Sequence, residues 1–162
     1  MTKLRQEIMK LLKEDSRFSA AKIAEMLGEK EDLVKKEISA MEESGIIVKY
    51  TIISDDERAE KTDVEALIEV KVSPMKKHGF DSIAEDIYQF DEVKSVYLMS
   101  GAYDLMVIIE GKTLKEVARF VSEKLSVMDN VISTATHFIL KKYKTEGVCM
   151  KSCEIKRQAV MA

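Results

Sequence analysis

An α+β fold in two parts is predicted by three features of the sequence. Apolar side chains recur at helical spacing through residues 1–45, whereas strand patterns and helical patterns alternate through residues 64–143. Between these parts the segment SDDERAEKTD, residues 54–63, offers no apolar face, so we expect it to form a linker. A chain of 162 residues is long enough for two small domains, each with its own core.

Three helices and a strand are predicted within residues 1–53. A first helix is followed by a second that begins after Ser19 and ends at Gly28, and by a third that ends at Gly45. The β-branched and aromatic run IIVKYTII, residues 46–53, predicts a strand. This order is that of a winged helix-turn-helix domain. Its apolar helical positions are Leu4, Ile8, Leu11, Leu12, Ile23, Ala24, Leu27, Val34, Ile38 and Met41.

A β-α-β-β-α-β order is predicted for residues 64–143. The strand VEALIEVKV stops before Pro74, and VKSVYLM and YDLMVIIE are two strands joined by SGA. Thr113 and Glu116 form a capping box that opens a helix, and VISTATHFILKKY predicts the closing strand. The order is ferredoxin-like, with one antiparallel sheet and both helices on one face. The apolar helical positions are Phe80, Ile83, Ala84, Ile87, Leu114, Val117, Val121 and Leu125.

The second face of such a sheet has no helices to cover it. An exposed sheet face of alternating apolar residues needs a partner, and a second copy of the chain is the simplest one. We therefore expect homodimers or higher homo-oligomers formed through residues 64–143. Residues 144–162 have no clear period and are expected to form a C-terminal tail. Cys149 and Cys153 in this tail are expected to be free thiols, although their spacing permits a redox or soft-metal site.

The composition is that of a globular protein. Apolar residues make up 46% and charged residues 34%, with one Pro and six Gly, which is not the composition of a disordered chain. No run of about 18 apolar residues occurs, and the first 15 residues lack a continuous apolar core. We therefore expect a cytoplasmic protein without membrane contact. The net charge of −3 argues against a protein that binds nucleic acid over its whole surface, but it is compatible with a local basic face.

Four segments carry a resemblance to a known family: LLKEDSRFSAAKIAEMLG, VKKEISAMEESGIIVKY, GAYDLMVIIEG and TATHFILKKYK. In order and spacing they resemble motifs of the Lrp/AsnC (feast/famine) regulators, over roughly residues 3–143. The resemblance implies a transcriptional regulator. The sequence has no nucleophile elbow, P-loop, dinucleotide fingerprint or H-E-x-x-H motif, so we expect no enzyme activity, metal or cofactor. The resemblance implies that residues 1–53 bind double-stranded DNA. It also implies that residues 64–143 oligomerise and bind a small effector such as an amino acid.

The third predicted helix has an unfavourable charge for reading DNA. Residues 29–45 carry three Lys against five Glu and one Asp, whereas DNA affinity comes mainly from cations placed against phosphates. In the family motif an Arg stands at the position of Glu37. If the helix enters the major groove at the family's geometry, we expect this glutamate to face DNA and to oppose binding. The alternative is that Glu37 pairs with a lysine of its own domain. The candidate phosphate contacts are Lys22, Lys30, Lys35, Lys36 and Lys49.

A candidate effector site lies in the segment SGAYD, residues 100–104. Glycine allows close backbone approach, and a carboxylate beside it could hold a ligand ammonium group. Alternatively the segment is only a turn, in which Gly supplies the dihedral angle and Asp makes a local hydrogen bond. The candidate effector-binding residues are Ser100, Gly101, Tyr103, Asp104, Thr134 and Thr136.

Two alternative functions are left open by the sequence. Some haem-pathway decarboxylases use the same scaffold, but they need basic and His side chains to hold tetrapyrrole carboxylates. Residues 64–143 contain only two histidines, His78 and His137, and no arginine before Arg119, so they provide few such side chains. The other alternative is a co-regulator subunit that pairs through the sensor sheet and makes little contact with DNA.

Overall fold

The structure is a computed structural model that describes residues 1–73 and 79–150. The chain divides into two compact units, Met1–Ile53 and a second unit from Ser54 onward. Together they have the predicted α+β composition, with helices in the first unit and a sheet with two helices in the second. Each helix in the described residues is too short or too polar to cross a membrane. Three residues named above lie outside the described residues: Pro74, His78 and Cys153.

The first unit contains the three predicted helices, α1 (Lys3–Glu14), α2 (Ala20–Leu27) and α3 (Glu31–Glu43). The predicted ends are confirmed. The Ser19 hydroxyl accepts the Lys22 backbone N–H at 3.2 Å, and Gly28 ends α2 in the left-handed region with φ of 69°. Only glycine adopts this region without strain. The core of the unit consists of the buried residues Ile8, Ile23, Ala24, Val34 and Met41.

The strand predicted over residues 46–53 is absent, which corrects the sequence-based expectation. Two hydrogen bonds join the segment to α3: the Ile47 N–H donates to the Met41 carbonyl at 3.0 Å, and the Tyr50 hydroxyl donates to Glu42 Oε1 at 2.9 Å. Val48 and Ile52 are 88% and 84% exposed. A strand is held by hydrogen bonds to a neighbouring strand, and no strand among the described residues pairs with this segment. High β propensity without a pairing partner therefore leaves the segment extended and unpaired.

The second unit has the predicted β-α-β-β-α-β order, and its four long strands form one antiparallel sheet in the order β2-β3-β1-β4. A hydrophobic core fills the space between one face of this sheet and the two helices. The elements are β1 (Val64–Val72), α4 (Asp81–Tyr88), β2 (Val93–Leu98), β3 (Leu105–Gly111), α5 (Leu114–Phe120) and β4 (Val131–Phe138).

The helix after the capping box differs from its predicted period. The box is present, with the Thr113 hydroxyl accepting the Glu116 N–H at 3.1 Å. However, α5 continues as a π-helical turn over residues 121–125, closed by the Ser126 N–H donating to the Val121 carbonyl at 2.8 Å. Phe120 is buried because it lies three residues after the buried Val117, on the same side of α5. Leu114, predicted to face the core, lies at the start of α5 and is 57% exposed.

The C-terminal region departs from the prediction in two ways. The closing strand is shorter than predicted and ends at Phe138. Residues 144–149, predicted as the beginning of a tail, form a small hairpin of β5 (Lys144–Thr145) and β6 (Val148–Cys149). Glu146 and Gly147, between these strands, both have positive φ, as a two-residue type I′ turn requires. This local turn, and not hydrophobic periodicity, explains the hairpin.

Candidate functional site

The outer side of α3 carries exposed polar and charged residues. Val34 and Met41 on its inner side are fully buried in the core. With 3.6 residues per turn, the opposite side of the helix contains Asp32, Lys36 and Glu43, and all three are exposed. The outer side of α3 can therefore approach a ligand as large as a DNA duplex without disturbing the core.

All five lysines predicted to contact phosphates are exposed. Two of them are engaged on their own helices: Lys22 Nζ lies 2.9 Å from Glu25 Oε2, and Lys35 Nζ lies 2.7 Å from Glu31 Oε1. The Glu31 carboxylate raises the pKa of Lys35. Such exposed pairs are weak and are screened by salt, so they do not prevent contact with phosphates. Lys30, Lys36 and Lys49 form no ion pair with any residue of the described ranges.

Glu37 lies against α1, which corrects the expectation that it faces DNA. Its Oε2 accepts a hydrogen bond from Arg5 Nε at 2.5 Å, and the Arg5 and Glu37 side chains are only 27% and 21% exposed. Position 37 is three residues after Val34, so it belongs to the inner half of the helix surface. The acidic charge at this position is therefore neutralised within the first unit.

The Asp104 carboxylate, predicted to hold an effector, makes a hydrogen bond within the fold. Its Oδ2 accepts the Val72 N–H at 2.9 Å. The Asp104 N–H donates to the Val70 carbonyl at 3.1 Å, and the Asp104 carbonyl accepts the Met99 N–H at 2.8 Å. The carboxylate thus fastens the β2–β3 connection to β1. This is the hydrogen-bonding role weighed above, although the bond reaches across the sheet instead of closing a local turn.

The other effector candidates share one end of the sheet with Asp104 but do not form a single cluster. Thr134 on β4 pairs with Val70 on β1, which pairs on its other side with Leu105. Thr134 and Leu105 are therefore about 9.5 Å apart, because two strand spacings separate β4 from β3. Thr136 pairs with Ile68, further along β1. Ser100, Gly101 and Tyr103 belong to the β2–β3 connection, in which the serine and the glycine are exposed.

Nothing in the fold requires glycine at position 101. Gly101 has no positive φ, and a Cβ built on it meets nothing within 4 Å. The prediction that this glycine supplies the dihedral angle of a turn is therefore wrong. Neither the backbone angle nor a close neighbour within the described residues excludes a side chain at position 101.

The helix-free face of the sheet, here called the open face, has an apolar centre. Alternation along the strands places Leu67, Met106 and Ile108 on this face, where Leu67 pairs with Ile108 and Met106 pairs with Tyr97. Leu67, Met106 and Ile108 are half-buried and Tyr97 is 48% exposed. Within the described residues no helix covers this face. Its apolar character suits a protein partner.

Acidic residues at one end of the open face are neutralised by lysines from neighbouring segments. Glu65 and Glu110 are directly opposite each other on β1 and β3, an arrangement of like charges that destabilises a sheet. Lys61 Nζ lies 2.6 Å from Glu110 Oε2. Lys142 contacts Glu65 and also lies 3.1 Å from Asp56. The segment predicted as a linker is therefore held on the sheet by charges.

Replacing Lys142 with methionine is expected to release this segment. The variant leaves Asp56 and Glu65 without their shared cation, so hydrogen exchange in a peptide covering residues 54–63 should quicken several-fold. Lys144→Met is the matched control, because Lys144 is exposed and belongs to the β5–β6 hairpin. Equal exchange in the two variants would show that the lysine does not hold the segment.

Acid should release the same segment in the wild-type protein. Hydrogen bonds from Lys142 and Lys61 lower the pKa of Asp56 and of Glu110, respectively. A carboxylate whose pKa is lowered by folding stabilises the folded state above its ordinary pKa and loses that contribution as the pH falls through the lowered value. The protection of residues 54–63 from exchange, corrected for the intrinsic pH dependence of the exchange rate, should therefore be higher at neutral pH and should fall under acidic conditions.

A helix-turn-helix unit joined to a ferredoxin-like domain with an open face defines a class of regulator that separates a DNA-binding unit from a sensing unit. Residues 65–149 match the family model described as the Lrp/AsnC ligand binding domain. The chain belongs to the Lrp/AsnC family of HTH-type transcriptional regulators. This membership confirms the family predicted from the sequence and excludes the enzyme alternative.

Relatives of this chain match it over most of its length. The HTH-type transcriptional regulator YugG of Bacillus subtilis is 44% identical over 163 residues, which cover 100% of the chain and 98% of YugG. The HTH-type transcriptional regulator LrpA of Pyrococcus horikoshii is 31% identical over 137 residues, which cover 85% of the chain and 94% of LrpA. These relatives extend the assignment to both units.

Solved structures share the fold. The crystal structure of PH0061 has a TM-score of 0.77 at 25% identity and covers 91% of this chain and 98% of its own. The complex of the transcriptional regulator NMB0573 of Neisseria meningitidis with L-Met has a TM-score of 0.72 at 20% identity and covers 91% and 96%. The predicted α+β fold class is thereby confirmed.

Proposed function

We propose that this regulator binds double-stranded DNA as a homo-oligomer, through α3 and its neighbouring lysines, and responds to an amino-acid effector held near residues 100–104. The observation that carries the proposal is the division of α3 into two sides. Its inner side is taken up by the core and by Arg5, whereas Lys35 and Lys36 are exposed. Lys22, Lys30 and Lys49 provide further exposed cations in the same unit. Phosphates are the ligands that such cations favour.

Removing Lys35 and Lys36 together is expected to weaken DNA binding and its salt dependence. Each phosphate contact that is lost should lower the slope of log affinity against log salt by about 1. The measurement is a titration of mixed-sequence genomic duplex fragments at several salt concentrations. The double variant Lys112→Ala, Lys115→Ala is the control, because it removes the same charge from exposed positions of the second unit.

The outcomes of this titration separate the proposed function from its alternative. If the double variant in α3 and the control bind DNA equally, α3 is not in contact with DNA. If the wild-type protein retains no duplex DNA at low salt, the co-regulator alternative takes its place. The acidic exposed residues Asp32, Glu42 and Glu43 favour that alternative, because they repel phosphates.

The proposed effector site is supported by Gly101, a glycine that the backbone conformation and the packing do not require. The fold accepts a side chain there, so the absence of one leaves space for a ligand beside Asp104 and Tyr103. The carboxylate of Asp104 has one oxygen engaged by Val72, and its other oxygen can accept a hydrogen bond from an ammonium group. L-Met is bound in the structure of the Neisseria protein, which shares this fold, and an amino acid is the class of ligand we propose here.

Gly101→Ala is expected to leave the melting temperature unchanged and to weaken the binding of the effector. Surface substitutions without steric or hydrogen-bonding consequences usually change stability by less than about 0.5 kcal/mol. The test is a thermal-shift screen of the twenty amino acids, followed by calorimetry of any hit with both proteins. Asp104→Ala is the comparison variant, because it should lower stability by about 1–3 kcal/mol through the orphaned Val72 N–H. A hit that binds wild type and Gly101→Ala equally would place the effector elsewhere.

The homo-oligomer is supported by the open face. Its apolar centre at Leu67, Met106 and Ile108 matches an identical face on a second copy, because residues on a two-fold axis are self-complementary. A second copy would cover these side chains and remove them from water.

A further inference from the structure

We propose that Glu37 positions α3 through Arg5 and does not read DNA, and that Asp32 and Lys36 on the outer side of α3 are the residues that discriminate between bases. This inference rests on the DNA binding proposed above. It assigns separate roles to neighbouring residues of one helix, according to the direction in which the structure turns each side chain.

The positioning role of Glu37 follows from its contact with α1. Arg5 lies in the first turn of α1 and reaches the middle of α3 over a sequence separation of 32 residues. Both side chains are less than a third exposed, so solvent screens this pair less than it screens the ion pairs on the helix surfaces. Ile8 of α1 also shares a buried core with Val34 and Met41 of α3. The pair adds a directional contact to this apolar packing and thereby positions α3 relative to α1.

The discriminating role of Asp32 and Lys36 follows from their placement. They are four residues apart, so they lie one above the other in the N-terminal half of α3. In helix-turn-helix proteins the N-terminal residues of the second, recognition helix contact the base edges. Both side chains are exposed, and neither forms an ion pair with another described residue. Lys35, by contrast, is tied to Glu31 on the flank of the helix, where a phosphate is the nearer ligand.

The chemistry of the two side chains defines what they would recognise. A lysine ammonium group donates to O6 and N7 of guanine in the major groove, and an aspartate accepts from the N4 amino group of cytosine. An aspartate in the groove also repels phosphates regardless of sequence. Asp32→Ala should therefore strengthen binding to DNA of arbitrary sequence while it reduces discrimination. A residue with only a structural role would not produce this combination.

The experiment is a selection from a random-sequence duplex pool with the full chain and four variants. We expect Lys36→Ala to lose a guanine preference and to weaken the selected site roughly five- to a hundredfold. Asp32→Ala should lose a cytosine preference. Lys35→Ala should weaken all sequences uniformly, with a salt slope lower by about 1. The charge-swapped double variant Arg5→Glu, Glu37→Arg should keep the wild-type motif and most of the wild-type stability.

Opposite outcomes overturn the inference. A new guanine preference in the charge-swapped protein would show that position 37 lies in the groove, because an arginine there would read guanine. An unchanged motif in both Lys36→Ala and Asp32→Ala would show that they do not discriminate bases. If the wild-type protein enriches no sequence and retains no duplex DNA, the proposed function fails together with the base-reading roles. A double-mutant cycle on Arg5 and Glu37, measured by thermal melting, would still test whether the two side chains stabilise each other.

Discussion

Ile108→Asp is expected to convert the proposed homo-oligomer into a monomer. Ile108 is on β3 at the centre of the open face, where it pairs with Leu67 on one side and with Ser95 on the other. A second copy packed on this face would bury the new carboxylate without a partner charge. Burying an unpaired ion costs several kcal/mol, and each 1.4 kcal/mol corresponds to a tenfold change in affinity. The dissociation constant of the oligomer should therefore rise by at least roughly a thousandfold.

Light scattering over a range of protein concentrations measures this change directly. Leu114→Asp is a matched control, because it makes a similar substitution at an exposed position of α5, on the helical side of the sheet. The control should keep the mass of the wild-type protein. The core on the helical side should be unaffected in Ile108→Asp, since its side chain points away from Val107 and Ile109. A wild-type mass for the Ile108→Asp protein would rule out the open face as the interface.

Glu37→Arg is expected to destabilise the first unit. The substitution removes the acceptor of the Arg5 hydrogen bond and places a second guanidinium beside the first, at a site where both native side chains are less than a third exposed. Hydrogen bonds to charged groups contribute about 1.5–3 kcal/mol, and the new repulsion adds to their loss. For a small domain the melting temperature falls by roughly 4–8 °C per kcal/mol. A decrease of several degrees or more is therefore expected.

Glu43→Arg is the matched control for this experiment. It makes the same charge change on the same helix at an exposed position, and a cation near the C-terminus of a helix is favourable. The control should melt at or slightly above the wild-type temperature. A double variant that adds Arg5→Glu to Glu37→Arg should recover most of the lost stability. Equal melting of Glu37→Arg and Glu43→Arg would contradict a stabilising pair between α1 and α3.

Features that depend on neighbouring residues along the chain were predicted correctly. The helical spacing of Val34 and Met41 placed both in the core, and the pattern of VEALIEVKV predicted the strand β1. The caps at Ser19 and Thr113 bind backbone N–H groups three residues ahead, so sequence alone shows both members of each contact. Two local features were missed. A π-helical turn follows Phe120, and a type I′ turn forms a hairpin in the predicted tail.

Features that depend on distant residues were decided by the tertiary structure. The run at residues 46–53 has strand propensity but no partner strand among the described residues, so it forms no strand. Glu37 is aligned with a DNA-facing arginine in the family motif, yet the structure turns it toward Arg5. Asp104 was expected beside a ligand or in a local turn, and instead it accepts the Val72 N–H. Both of these contacts join residues 32 positions apart.

The sequence by itself thus determined the helices, the four long strands, their order and the family, because periodicity, caps and motifs are properties of short segments. Which charged side chains face a ligand and which neutralise a neighbour depends on the packing of α1 on α3 and of β1 beside β3. Hydrogen bonds act over about 3 Å, and no pattern along the chain encodes which residues folding brings that close. The candidate site residues therefore acquire separate roles only in three dimensions.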